Sequence, residues 1–83
     1  MKKNVIVYSA NWCPYCFDLK DYLRERKIKY DERDIDLSAK WRAQWLEKST
    51  QQVVPLLDID GHIYEGFSRK SLDKFIKNCY TDG

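Results

Sequence analysis

Two thiols three residues apart, Cys13 and Cys16, stand in the run Trp12-Cys13-Pro14-Tyr15-Cys16. They follow an apolar stretch, Val5-Ile6-Val7-Tyr8, and open a segment of helical spacing. A thiol pair where a strand hands over to a helix is arranged for redox chemistry. Cys13 precedes a proline, which pushes its backbone toward an extended conformation. Pro14 suits the first helical position, where a missing N–H is no loss. Cys13 is therefore expected at the cap of a helix, with the free N–H groups of Tyr15 and Cys16 turned toward its sulfur. Unpaired amides and the helix dipole favour an anion there, so a nucleophilic thiolate is expected at neutral pH. Cys16 lies one turn deeper, placed to bond with Cys13 or to resolve a mixed disulfide.

A metal centre is the competing use of such a pair. A structural zinc site needs four ligands in a closed shell. The further candidates are Cys79 and His62, single residues without a partner at metal spacing. No metal ligands are assigned, and redox chemistry leads. Pro14 and the strand-to-helix position weigh against two merely structural cysteines.

Several elements must hold this loop in place. Val5 to Tyr8 reads as a buried central strand. From Pro14 to about Arg26 the spacing is helical, with Cys16, Leu19, Tyr22 and Leu23 inward, so Cys16 should be the more buried thiol. Ile28 to Asp34 reads as a second strand at or near an edge, which completes a parallel, right-handed β-α-β unit. Ser38 caps a helix reaching about Lys48, with Trp41, Trp45 and Leu46 toward the core. Val53 to Ile59 and His62 to Tyr64 read as strands joined at Asp60-Gly61, a two-residue hairpin signal. Ser68 caps a last helix whose stripe is Leu72, Phe75, Ile76 and Cys79, and Tyr80 to Gly83 is expected to fray. The expected fold is α/β, in the order β-α-β-α-β-β-α: a four-stranded mixed sheet with three helices covering both faces.

The motifs carry a family likeness. Cys13-Pro14-Tyr15-Cys16 after a short strand resembles the active site of a dithiol glutaredoxin in the thioredoxin superfamily. Val53-Val54-Pro55 resembles the segment whose proline is cis in that family. Gly66-Phe67-Ser68 is similar to the family's glycine-containing glutathione-binding turn. The likeness runs over essentially the whole chain and implies a thioredoxin-like fold with no tightly bound cofactor. It implies glutathione as co-substrate and disulfide-containing or glutathionylated proteins as partners, in cell redox homeostasis and electron transfer. Cys13 would attack a disulfide sulfur and Cys16 would release the product. Trp12, Pro14, Tyr15 and Pro55 would support the site. Tyr15, Val54, Pro55, Gly66, Phe67 and Ser68 would border glutathione: the Val54 backbone by strand-like pairing, and the Phe67 and Ser68 amides as a carboxylate site.

The chain also departs from the family. Many glutaredoxins carry Gly-Gly before the last helix and an acidic pair after it, where this chain has Glu65-Gly66 and Ser68-Arg69. Many place a lysine three residues before the first cysteine, where this chain has Ala10. Arg69 would repel the glutathione amine, and Lys20 and Lys70 are the candidates to replace the missing lysine. The run Glu65 to Arg69 is similar to the glutaredoxin-like hydrogen donors of ribonucleotide reductase, recharged by thioredoxin reductase. That is the alternative reading. An iron–sulfur or zinc binding module is a third, opposed by Tyr15 and Cys16, which cluster-carrying relatives usually replace.

Composition narrows the remaining classes. Eighty-three residues suit one domain spanning 1–83, and three Trp, six Tyr and three Phe help so small a core bury enough area. Fifteen basic against 13 acidic residues leave a formal charge of +2, too balanced for a nucleic-acid partner. The first apolar run is too short for a signal-peptide core or a membrane span, so a monomer in the reducing cytoplasm is expected. Cys79 reads as a small buried hydrophobe, His62 as a surface residue, and Trp12 as packing beside an exposed Cys13 or offering substrates an apolar surface.

Overall fold

β1 (Val5–Ser9) forms the spine of the molecule, in a computed structural model that describes residues 3–80. Around it run α1 (Pro14–Glu25), β2 (Asp31–Asp34), α2 (Ala39–Lys48), β3 (Leu56–Ile59), β4 (His62–Glu65) and α3 (Arg69–Tyr80). The strand order is β2-β1-β3-β4, with β1 parallel to β2 and antiparallel to β3, and β3 antiparallel to β4. This is the expected four-stranded mixed sheet with three helices, in a thioredoxin-like arrangement.

Alternation along the two central strands sends side chains to two cores. Val5 and Val7 of β1, with Leu57 and Ile59 of β3, pack with Leu19, Tyr22 and Leu23 of α1 and Leu72 and Ile76 of α3. Tyr8 and Leu56 point the other way and join Ala10, Cys13, Cys16, Ile35 and Trp45. Both faces are covered, so the central strands read as continuous apolar runs.

β2 is shorter than the expected Ile28–Asp34. After α1 the chain makes a Schellman turn: Lys27 takes φ +57°, its amide donates to the Arg24 carbonyl (3.0 Å), and Ile28 donates to Leu23 (2.9 Å). Ile28 and Tyr30 pack against the core instead of pairing. The ladder with β1 begins at Ile6 and Asp31, and β2 is the expected edge.

β3 likewise begins at Leu56 and not at Val53. The carbonyls of Val53 and Val54 go to the Trp45 indole N–H (3.0 Å) and the Cys13 thiol (3.6 Å), and Pro55 has no N–H. The Val54–Pro55 peptide is cis, as the family likeness implied.

In α2, Ser38 is the N-cap, accepting from the Trp41 amide at 3.3 Å. Of the three expected core residues only Trp45 is buried. Trp41 is half-buried and Leu46 is 46% exposed, because the rest of the inward face is polar. Lys48 reaches Tyr8 Oη (2.9 Å) and Asp58 of β3 (2.7 Å), and Gln44 accepts from Tyr8 Oη at 3.1 Å.

The hairpin holds as expected, with Asp60 and Gly61 both left-handed (φ +52° and +92°), a pair of angles suited to a type I′ turn. Ser68 stands at the head of α3, its carbonyl accepting from Leu72 at 2.7 Å. Tyr80 is helical, and the rest of the segment expected to fray, residues 81–83, lies outside the described residues. Among the described residues, no helix is long and apolar enough to cross a membrane.

Candidate active site

Cys13 occupies the N-cap of α1 with extended backbone (φ −101°, ψ 110°), and Pro14 follows at the first helical position. Its own amide is tied back to the Ala10 carbonyl at 3.2 Å. Its sulfur accepts from the Cys16 amide at 3.3 Å, the cap geometry that the proline imposes. The sequence placed both the Tyr15 and Cys16 amides on this sulfur; the contact formed is that of Cys16. On its other side the Cys13 thiol donates to the Val54 carbonyl at 3.6 Å.

Cys13 is not exposed, which corrects the sequence reading. It is 3% accessible against 1% for Cys16, because the Val53–Pro55 loop closes over it. Cys16 remains the more buried of the two, though it joins the α2-side core and not that of Leu19 and Leu23. Burial, and then its hydrogen bond to the Cys13 sulfur, push the Cys16 thiol up to about 12, against smaller lowering by the Ala10 backbone and Lys20. The two sulfurs are in contact and neither is bonded to the other; Cys13, Cys16 and Cys79 are all free.

The loop carrying Val54 is joined in turn to the head of α3. Pro55 accepts from the Gly66 amide at 2.8 Å, extending the β3–β4 ladder by one bond. Gly66 is left-handed (φ +86°) and nothing lies within 4 Å of where a Cβ would stand, so backbone conformation and not crowding calls for glycine. Cys13, Cys16, Val54, Pro55 and Gly66 are thus brought together.

The remaining residues assigned from sequence sit further out. Phe67 turns inward, edge-on to Tyr22 with ring centroids 6.2 Å apart. Ser68 is exposed at the mouth of the turn. Tyr15 is 59% exposed and Trp12 67%. The Trp12 indole N–H donates to Asp36 at 2.9 Å, and the same carboxylate pairs with Arg42 at 3.5 Å. Trp12 therefore does not pack on Cys13; it walls a groove of about 520 Å³ whose floor is Ile35, Trp45 and Val54.

Of the two lysines considered as substitutes, Lys20 is engaged by Glu32 at 2.8 Å, and Lys70 is exposed. Arg69 is paired with Glu25 at 3.4 Å and lies 5.2 Å from the Tyr22 ring, so its charge is partly answered from α1. Cys79 is half-buried against the core and His62 is exposed. Among the described residues, no group of three or more His, Cys, Asp or Glu is gathered to hold a metal.

Sequence reasoning missed Glu65 as an interacting residue. Its carboxylate accepts from Ser49, Thr50 and Gln51, and although burial pushes its pKa up, these bonds outweigh that and hold it at about 2. It missed the Tyr8–Lys48–Asp58 network as well. A carboxylate inside the apolar run Leu56-Leu57-Asp58-Ile59 was the available signal.

A capped thiol with an amide on its sulfur, a second thiol in contact, and a backbone carbonyl opposite can together form and open a disulfide. Comparison with known proteins agrees. The family model for glutaredoxin matches residues 5–64. A glutaredoxin-like 8.6 kDa protein of the rubredoxin operon of Clostridium pasteurianum is 34% identical over 71 residues, 86% of this chain and 95% of that protein. Glutaredoxin 3 of Escherichia coli is 30% identical over 81 residues, 89% of this chain and 98% of its own length. Among solved structures, a thioredoxin-like protein superposes with a TM-score of 0.78 at 28% identity, covering 86% of this chain and 97% of the other.

Proposed function

This chain belongs to the glutaredoxin family, and on that premise we propose that it is a glutathione-dependent thiol–disulfide oxidoreductase in which Cys13 attacks and Cys16 resolves. The observation that carries the reading is the Cys13 cap, with the Cys16 amide 3.3 Å from its sulfur. That contact fixes the Cys13 sulfur at the start of α1, with the Cys16 thiol placed to resolve a mixed disulfide.

In the first step Cys13 as thiolate attacks one sulfur of a disulfide R–S–S–R′, forming Cys13–S–S–R and expelling R′–S⁻. In the second, Cys16 loses its proton and attacks the Cys13 sulfur, expelling R–S⁻ and leaving a Cys13–Cys16 disulfide. Two electrons have passed to the substrate and both leaving thiolates take up protons. Two glutathione thiols return the pair to the dithiol by the same exchange run in reverse. With a glutathionylated substrate the first step suffices, and a second glutathione frees Cys13.

Val54 offers a backbone edge beside the sulfur for an extended peptide. Gly66, Phe67 and Ser68 offer a turn and helix-start amides for the γ-glutamyl carboxylate, with Pro14 between the thiols, Tyr15 exposed beside them and Trp12 walling the groove that Val54 lines. Glutathione and disulfide-containing or glutathionylated proteins are the proposed partners, with no cofactor held. The setting is a cytoplasmic monomer of one domain, serving electron transfer and redox homeostasis.

Arg69 favours a second reading, a hydrogen donor to ribonucleotide reductase recharged by thioredoxin reductase. A cation at the head of α3, with Ala10 in place of a lysine, suits glutathione less well. Coupled turnover of one disulfide substrate decides: glutathione with glutathione reductase supports the first reading, and turnover with thioredoxin reductase alone supports the second. A purified protein carrying stoichiometric iron or zinc would overturn both.

A further inference from the structure

We propose that Glu65 is a positioning residue for the substrate-binding loop, fixing the Val54 backbone beside Cys13 through a carboxylate clamp on residues 49–51. The inference rests on the proposed pairing of a substrate peptide with Val54.

Four donors from three consecutive residues converge on this one carboxylate. They are Ser49 Oγ at 2.5 Å, the Thr50 amide at 3.1 and 3.2 Å, Thr50 Oγ1 at 2.6 Å and the Gln51 amide at 3.1 Å. Ser49 Oγ also accepts from the Gln52 amide at 2.7 Å. Bonds to an ionised acceptor are stronger than neutral ones, and this carboxyl, held at about 2, is ionised at neutral pH.

The clamp acts where the loop needs restraint. Gln52 is left-handed (φ +55°) without being glycine, a conformation that persists only when its surroundings over-determine it. Beyond Gln52 the chain is pinned residue by residue: Val53 to Trp45, Val54 to Cys13, Pro55 to Gly66. Glu65 stands directly before Gly66 and opposite Leu56 in the ladder. One residue therefore ties the segment entering the loop to the strand that leads into the α3 turn. Without it, the loop keeps its Trp45 and Gly66 anchors and loses the one upstream.

The test compares wild type, Glu65→Gln, Glu65→Ala and Thr50→Val on a synthetic glutathionylated peptide, with whichever reductant supports wild-type turnover. Glu65→Ala is expected to raise KM by about tenfold, as displaced positioning groups do, with a smaller change in kcat. Glu65→Gln, which keeps one acceptor oxygen, and Thr50→Val, which removes one donor, should move KM in the same direction by less. If Glu65→Ala does not fold, the other two carry the test. A lowered melting temperature with KM unchanged in every folded variant overturns the inference and makes Glu65 a purely structural tie. A wild-type protein that turns over no disulfide peptide overturns the reading beneath it, and the inference falls with it.

Discussion

Toward α1 and α3 the sheet presents Val5, Val7, Leu57 and Ile59, and meets Leu19, Leu23, Leu72 and Ile76. Toward α2 the same two strands present Tyr8, Leu56 and Asp58, and meet Trp45, Lys48 and the two thiols. The first face is nearly all hydrocarbon, where close packing does the stabilising. On the second, polar and reactive groups are buried too, and each needs a partner: Asp58 has Lys48 at 2.7 Å, and Cys13 has Cys16 and Val54. The contrast places stability on one face and chemistry on the other.

Crossing one substitution from each face tests that division most sharply. Cys13→Ser is expected to abolish disulfide turnover while leaving the denaturant midpoint close to wild type. Leu57→Ala, on the apolar face, is expected to cost about 3 kcal/mol of stability and to leave turnover per folded molecule intact. Loss of activity in folded Leu57→Ala would break the comparison.

Lys48→Met is the next largest effect. It removes the cation from the Asp58 carboxylate, which is 6% exposed and keeps only the Gly61 amide at 2.7 Å among the described residues. The change should cost about 2 kcal/mol, below the figure for a fully buried pair because Lys48 is partly solvated. Lys48→Met with Asp58→Leu should recover part of that loss in the same unfolding assay. If the single change is silent, the polar face is not held by its ion pair.

Smaller in reach is the difference in reactivity between the two thiols. With Cys16 raised to about 12, iodoacetamide at pH 8 should label Cys13 and leave Cys16 unmodified by tandem mass spectrometry. Equal labelling would remove the distinction between attacking and resolving sulfur.

Acid should then find Glu65. Its folded value, about 2, lies below the ordinary 4.5, so its contribution to stability is full above 4.5 and disappears as pH falls toward 2. The gap in melting temperature between wild type and Glu65→Gln should therefore close over that window. A gap that stays constant would count against the clamp. Arg69→Asp has the smallest expected effect, a rise of a few-fold in glutathione-dependent turnover, since Glu25 already answers part of the Arg69 charge. No gain in glutathione KM or rate removes the charge argument.

Local chemistry made much of this legible in the residues alone. Pro14 after Cys13, Ser38 before Ala39 and Asp60-Gly61 between apolar runs act over two to four positions, and each produced the cap or turn it implies. Helical spacing likewise located the three helices, because burial on one face leaves a periodic trace, whereas β2, all charged at Asp31–Asp34, left none. One misreading was local, the turn at Lys27 that took Ile28 and Tyr30 out of β2, and others fell where distant groups compete with the strand or core they resemble. Val53 and Val54 look like strand, and give their carbonyls to Trp45 and Cys13 instead; Leu46 looks like core, and α2 rests on Trp45 and Lys48.

Sequence by itself therefore determined the order of elements, the two thiols and the cap that holds the first, since those follow from neighbours along the chain. Tertiary structure alone decided that Cys13 is closed over by Val54, that Arg69 faces Glu25, and that Glu65 grips a loop 14 to 16 residues away. Such partners meet only through the packing of separate elements, and side-chain bonds across that distance leave no periodicity to read.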